Sequence, residues 1–242
     1  MTRIAMWSGP RNISTAMMRS WGSRPDTFVS DEPFYAAYLE RTGLDHPGAA
    51  EVMACHERDP VRVAEYLSGP VPGGKAVWYQ KHMAHHMLEG MALEWVGRVR
   101  NCVLVREPRE MLASLEKVLG EVTPEQTGLP QQIRLLGVIR ELEGREPPVV
   151  LAADVLRDPE GMLRALCGRL GVGYDERMLR WEAGPKETDG VWGPHWYSRV
   201  YSSTGFEVSP PAETTLAAHL EPVLEACRPM FEELAGRRIR AE

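Results

Sequence analysis

The sequence predicts an α/β fold, a three-layer parallel β-sheet of about five strands flanked by helices. Three observations predict it. Short apolar runs recur along the 242 residues. Helix-like segments of about ten residues or more separate them, and Gly, Pro or Asp marks many of the junctions. The apolar share of 43% and charged share of 26% are those of a globular chain able to bury a core.

The first strand is expected at residues 4–7, followed by a turn and a helix over 14–22. A second strand at 27–30 leads to a helix over 34–41, and a third strand is expected at 76–80. The fourth, at 101–105, is apolar after Asn101 and precedes an amphipathic helix over 109–119. The fifth, at 149–152, precedes a helix over 159–170, with Pro159 at its start and Gly171 just past its end. Residues 188–211 are rich in Gly, Pro, Ser and aromatics and read as a long ordered loop. A closing helix is expected over 213–234. With no repeat, low-complexity tract or linker, residues 1–242 are expected to form a single domain.

A net charge of −6 argues against a general nucleic-acid binder, so an anion site must be built locally from a few arginines. No apolar stretch approaches the roughly 20 residues that cross a bilayer, and no membrane partner is expected. Cys55, Cys102, Cys167 and Cys227 are far apart and form no CxxC. Together with an N-terminus that runs straight into a strand, this leads us to expect a reducing, cytoplasmic setting. No metal site is expected.

The stretch SGPRNIST, Ser8 to Thr15, carries the first chemical signal. A strand that turns into a helix points backbone N–H groups and the positive end of the helix dipole at one spot, which favours an anion. Gly9 and Pro10 are read as the turn, and Asn12, Ile13, Ser14 and Thr15 as the cradle. Nucleoside triphosphatases place Lys before the Ser or Thr that holds Mg²⁺. Ile13 stands there instead, and the cation has moved upstream to Arg11, which suits direct grip on a phosphate. The plain alternative is a strand–turn–helix with a capping Ser. The stretch CVLVREPREMLAS repeats the grammar, with Arg106 at the end of a buried strand and Ser114 eight residues on. Ligands of open parallel sheets lie beyond the carboxyl ends of strands, so Arg11 and Arg106 are placed to face one ligand. Alone, Arg106 reads equally well as a surface or ion-pair residue.

Together the two loops resemble the sulfotransferase family, which shares a P-loop NTPase-like topology and uses 3′-phosphoadenosine 5′-phosphosulfate (PAPS). Pro10-Arg11-Asn12-Ile13-Ser14-Thr15 matches the family's 5′-phosphosulfate loop, and Arg106-Glu107-Pro108-Arg109 with Ser114 matches its 3′-phosphate motif. LAADVLRDPEGMLRALCGRLGV resembles a further family stretch, so the resemblance covers residues 4 to about 172. A closer resemblance is to a branch with Trp-Ser-Gly-Pro-Arg-Asn-x-Ser-Thr and Asp-Glu-Pro-x-Tyr, here Asp31 to Tyr35. Some plant members of that branch carry the domain fused to a part resembling branched-chain aminotransferases. No such part lies within these residues, and transaminase activity is not expected.

The resemblance implies transfer of a sulfuryl group from PAPS to a hydroxyl or amine of a small acceptor, with no obligatory metal. It makes Arg11 the cation on the developing phosphate charge and Lys81 the second cation. The family's general base follows such a lysine by two residues, where this sequence has Met83. His82, His85 and His86 are the nearby substitutes, and Asp31 and Glu32 are carboxylate candidates. A solvated helix start with several histidines is the plain reading of that stretch. Asp31 also reads as an orienting partner of Arg11 or as a helix cap. The family's nucleotide-holding Tyr near strand five falls at or near Ala152 and Ala153. Its late basic motif has only YSRVYSSTGF as a stand-in, where Arg199, Ser202 and Ser203 could reach a phosphate. Trp192, Trp196 and Tyr197 read as adenine or acceptor contacts, or as ordinary packing. Residues 120–134 are expected to shape the acceptor pocket. A nucleotide phosphotransferase or ATPase with a degenerate P-loop, and a non-catalytic 3′-phosphoadenosine nucleotide-binding module, stand as alternatives. A homodimer is left open.

Overall fold

A computed structural model describes residues 1–207 and 215–241. The chain runs β1 (Thr2–Ser8), α1 (Ser14–Gly22), β2 (Thr27–Asp31), α2 (Tyr35–Thr42), α3 (Ala49–Cys55), α4 (Pro60–Ser68) and β3 (Val77–Met83). It continues through β4 (Arg100–Val105), α5 (Pro108–Leu119), α6 (Leu129–Glu143), β5 (Val149–Leu151), α7 (Ala152–Arg157) and α8 (Pro159–Leu170). Two short helical turns, α9 (Gly193–Trp196) and α10 (Ser198–Tyr201), precede the closing α11 (Glu221–Gly236).

All pairings are parallel, in the order β2-β3-β1-β4-β5. The strand order reverses on either side of β1, so the carboxyl end of β1 opens at the topological switch point. Strand periodicity sorts the core into two layers. Ile4, Met6, Val77, Tyr79 and Leu104 face one side, packed with residues of α1, α2 and α8. Ala5, Trp7, Trp78 and Val103 face the other, packed with residues of α4, α6 and α11. This is the predicted three-layer sheet of five strands.

Several boundaries differ from expectation. β3 extends to Met83 and is buried along its whole length, so Lys81 and His82 are strand residues rather than a solvated helix start. Two flanking strands, β1 and β2, pair with its backbone, and helices cover both of its faces. Ala152 begins α7 rather than ending β5. Part of the expected pocket loop at 120–134 is the start of α6, with Thr127 buried before it. The closing helix begins at Glu221, where Pro222 occupies a position that needs no N–H donor. Residues 208–214 of the expected loop and helix lie outside the described residues. Among the described residues no helix is long and apolar enough to cross a membrane.

Candidate active site

At the carboxyl edge of the sheet lies a cavity of ≈ 1150 Å³. Following the strand order, it runs from the Asp31 and Lys81 ends of β2 and β3, past the β1–α1 loop, to Arg106 after β4 and Ala152 after β5. Of the predicted residues, Pro10, Arg11, Asn12, Ile13, Ser14 and Thr15 line it. So do Glu32, Lys81, His85, Arg106, Ser114 and Ser203.

The two arginine loops are joined directly. Arg11 Nε donates to Ser114 Oγ at 2.9 Å, and the Arg106 guanidinium donates to the Arg11 carbonyl. Arg106 is held from behind by Glu110, one helical turn into α5, at 3.1 Å. Arg11 sits at φ 53°, a left-handed conformation that costs a non-glycine residue about 1–2 kcal/mol. The Arg106 contact and the Asn12 amide, which donates to the Leu104 carbonyl at 3.2 Å, hold the loop in that shape. Arg11 has no carboxylate partner among the described residues. Burial, then the charge of Arg106, lower its pKa.

Gly9 differs from expectation. Its φ is not positive, and the left-handed residue of the turn is Arg11. Glycine is required at position 9 because a Cβ there would lie 2.5 Å from the Thr127 carbonyl oxygen. The segment before α6 presses on the loop at that point.

A second constellation forms at the β2 and β3 ends. Asp31 and Lys81 are register partners on adjacent strands, so their side chains share a face. Lys81 Nζ donates to Asp31 Oδ1 at 2.8 Å, Glu32 Oε1 at 2.5 Å and Tyr197 Oη at 2.7 Å. Tyr197 Oη in turn donates to Asp31 Oδ2 at 2.7 Å and accepts from Trp192 Nε1 at 2.9 Å. The Gly190 amide donates to the same Asp31 carboxylate at 3.1 Å. Burial opposes the charge on Lys81, but Asp31 and Glu32 outweigh it and raise its pKa. Burial raises the pKa of Glu32, while Lys81 works against that rise. Glu32 also has a positive φ of 38°, which turns the chain so that consecutive carboxylates reach one ammonium.

Four placements depart from the sequence reading. Lys81 is committed to three oxygen atoms rather than free for a phosphate. Asp31 pairs with Lys81 and not with Arg11, and it does not cap α2, whose N-cap is Phe34. His82, one residue after Lys81, points to the opposite face of the sheet by the two-residue period. There it stacks on its β1 register partner Trp7 at 4.4 Å and packs against Phe34 and Trp95. Burial there lowers its pKa to about 3. His82 does not line the cavity, and Ser202 does not either: its exposed hydroxyl donates to the Arg199 carbonyl. Ser203 lines the cavity, with its hydroxyl accepting from Trp181 and donating to the Val200 carbonyl.

His85 and His86 do reach the cavity. His86 stacks against Tyr35 and Tyr38, at 4.9 and 4.7 Å, with its Nε2 3.9 Å from Glu32 Oε2. Burial holds both imidazoles neutral, with His85 lowered to about 3 and His86 well below its ordinary value. The hydrogen-bonding role of Tyr197 was not legible in the sequence. It lies 166 residues from Asp31, in an irregular segment with no motif.

A sulfotransferase domain model matches residues 2–238. The chain belongs to the sulfotransferase domain family. It is 35% identical over 232 residues to branched-chain-amino-acid aminotransferase-like protein 2 of Arabidopsis thaliana. It is 37% identical over 234 residues to aminotransferase-like protein 1 of the same plant. In each case 96% of this chain is matched, but it spans only 41% of the relative's length. The fold is similar to the sulfotransferase domain of the Synechococcus PCC 7002 olefin synthase, with a TM-score of 0.55 at 15% identity over 93% of this chain and 94% of that one. It is also similar to a sulfotransferase from Alicyclobacillus acidocaldarius, with a TM-score of 0.53 at 15% identity over 99% of this chain and 97% of that one. A sulfotransferase domain of this family is thus built around the switch point at which the two arginine loops meet.

Proposed function

We propose that the protein transfers a sulfuryl group from PAPS to a hydroxyl or amine of a small acceptor. The observation that carries this reading is the contact between loops: Arg11 on Ser114 and Arg106 on the Arg11 backbone. Two cations from separate strand ends converge on one cavity, whose volume suits a nucleotide with a small molecule beside it.

In this reading Arg106 and Ser114 hold the 3′-phosphate. Arg11, Ser14, Thr15 and the first turn of α1 hold the 5′-phosphate. PAPS supplies the sulfuryl group when bound. Arg11 stabilises the negative charge that grows on the departing phosphate, a preorganised role that its braced backbone suits. Ala152 and Ala153 line the cavity at the β5 end and leave room there for the nucleoside. At the other end Glu32 takes the acceptor's proton. Burial raises its pKa, which makes it a stronger base than an exposed carboxylate, while Lys81 works against that rise. Tyr197 and Asp31 fix the position of Lys81 and thereby of Glu32.

The test is calorimetric titration with adenosine 3′,5′-bisphosphate, AMP and ADP, with and without Mg²⁺. The bisphosphate is expected to bind more tightly than AMP or ADP, with no dependence on Mg²⁺. Arg106→Ala should weaken it about tenfold or more, the loss of a charge-assisted phosphate contact. ATP binding that requires Mg²⁺ would refute the reading and favour a phosphotransferase. Tight bisphosphate binding with no sulfuryl transfer across a broad acceptor panel would refute the catalytic part.

A further inference from the structure

Six Lys or Arg side chains line the cavity, and four of them are tied to carboxylates. Lys81 pairs with Asp31 and Glu32, Arg106 with Glu110, Arg157 with Asp154 and Arg199 with Glu207. Arg11 and Lys117 have no carboxylate partner among the described residues. Lys117 stands apart from the other three lysines of the chain in this respect. Lys75 donates to the Pro25 carbonyl at 2.7 Å, Lys186 pairs with Glu182 at 3.2 Å, and Lys81 is held in the buried cluster.

Helix geometry sets Lys117 against the second arginine loop. Ser114 and Lys117 are three residues apart on α5, so they lie one above the other on a single face. Side chains of a helix lean toward its N-terminus, which carries the Lys117 stem back over the Ser114 turn. Ser114 is fixed at that point, because its Oγ accepts from Arg11 Nε at 2.9 Å. Lys117 is exposed, and its four-carbon stem lets the ammonium follow a ligand.

The charge at this end of the cavity calls for a further cation. A phosphate monoester carries about two negative charges at neutral pH. Arg106 meets it with a guanidinium whose Nε and Nη2 already lie 3.1 Å from the Glu110 carboxylate. The late stretch YSRVYSSTGF does not make up the difference. Its Arg199 side chain is 73% exposed and pairs with Glu207.

We infer that Lys117 binds the nucleotide's 3′-phosphate, with Arg106 on the N-terminal side of Ser114 and Lys117 on the C-terminal side. This rests on the sulfuryl-transfer reading and adds a residue that makes the site select a 3′-phosphorylated nucleotide.

The test compares adenosine 3′,5′-bisphosphate with AMP, which lacks only the 3′-phosphate, by calorimetric titration of the full chain. Wild type, Lys117→Ala, Lys117→Arg and Arg106→Ala are measured side by side. Lys117→Ala should weaken the bisphosphate about tenfold, the size of one charge-assisted contact, and leave AMP unchanged. Lys117→Arg, which keeps the charge, should restore most of that affinity. Added salt should weaken the bisphosphate less steeply in Lys117→Ala than in wild type, because one charge fewer is engaged. If wild type prefers the bisphosphate and Lys117→Ala keeps that preference in full, the inference is overturned and the donor reading stands. Equal weakening of both nucleotides in Lys117→Ala also overturns it, since the 3′-phosphate is then not what Lys117 meets. If wild type binds the two nucleotides equally, the donor reading falls and the inference falls with it.

Discussion

Lys81→Met probes the buried charge cluster most directly. The substitution keeps the length and apolar stem of the side chain but removes the ammonium that both Asp31 and Glu32 address. Their side chains are 2% and 11% exposed, so water replaces the lost partner poorly. Breaking a buried pair by removing one partner costs about 3–5 kcal/mol. For a chain of this size that lowers the melting temperature by on the order of 10 °C. The sign with pH follows from the same charges. Without Lys81, burial and then the charge of Asp31 push the Glu32 carboxyl further above its unfolded value. The folded variant then binds protons that the unfolded chain has released, and its stability falls as pH rises above about 4.5, the ordinary Glu value. Thermal unfolding of wild type, Lys81→Met, Glu32→Gln and the double variant between pH 4 and 8 measures this. The double variant should recover part of the loss, because only one carboxylate then remains unpaired. If Lys81→Met unfolds at the wild-type temperature at pH 8, the cluster does not hold these elements together. The reasoning would then fail.

Other consequences follow from single contacts. Gly9→Ala places a methyl 2.5 Å from the Thr127 carbonyl. It should cost about 1–3 kcal/mol by chemical denaturation and weaken bisphosphate binding by displacing the loop. Arg11→Gly and Arg11→Ala both remove the guanidinium, but only glycine relieves the φ of 53°. The glycine variant should therefore be the more stable by about 1 kcal/mol in urea unfolding. His82 is buried with its pKa lowered to about 3, so its neutral form stabilises the fold fully above pH 6.5, and that stability is lost as pH falls toward 3. His82→Phe, which retains a ring against Trp7, should remove up to about 1.4 kcal/mol per pH unit from the acid slope. An unchanged slope would show that His82 is not held neutral.

Much of the fold was legible because it rests on local periodicity. Runs such as IAMW and CVLV bury both faces of a central strand, so they stand out as continuous apolar stretches. The sequence reading places no helix at α3, α4 or α6 and ends β3 at Gln80, whereas the strand runs on to Met83 and carries polar residues inside a buried strand. Propensity and polarity misjudge such a strand, because a central place in the sheet, with helices over both faces, decides its burial. The phosphate loops were legible for another reason. Each is a contiguous strand–turn–helix unit whose chemistry lies within a few residues.

The sequence by itself determined the layered sheet, the two arginine loops and their common edge, since short-range pattern and strand polarity are enough to specify these. Tertiary structure alone decided which neighbours meet there. The strand period put Lys81 into the cavity and turned His82 away, and the β2–β3 register set Asp31 against Lys81. Tyr197 joined them across 166 residues of chain. Such contacts depend on register, strand order and the return of a distant loop, none of which leaves a local trace in the order of residues.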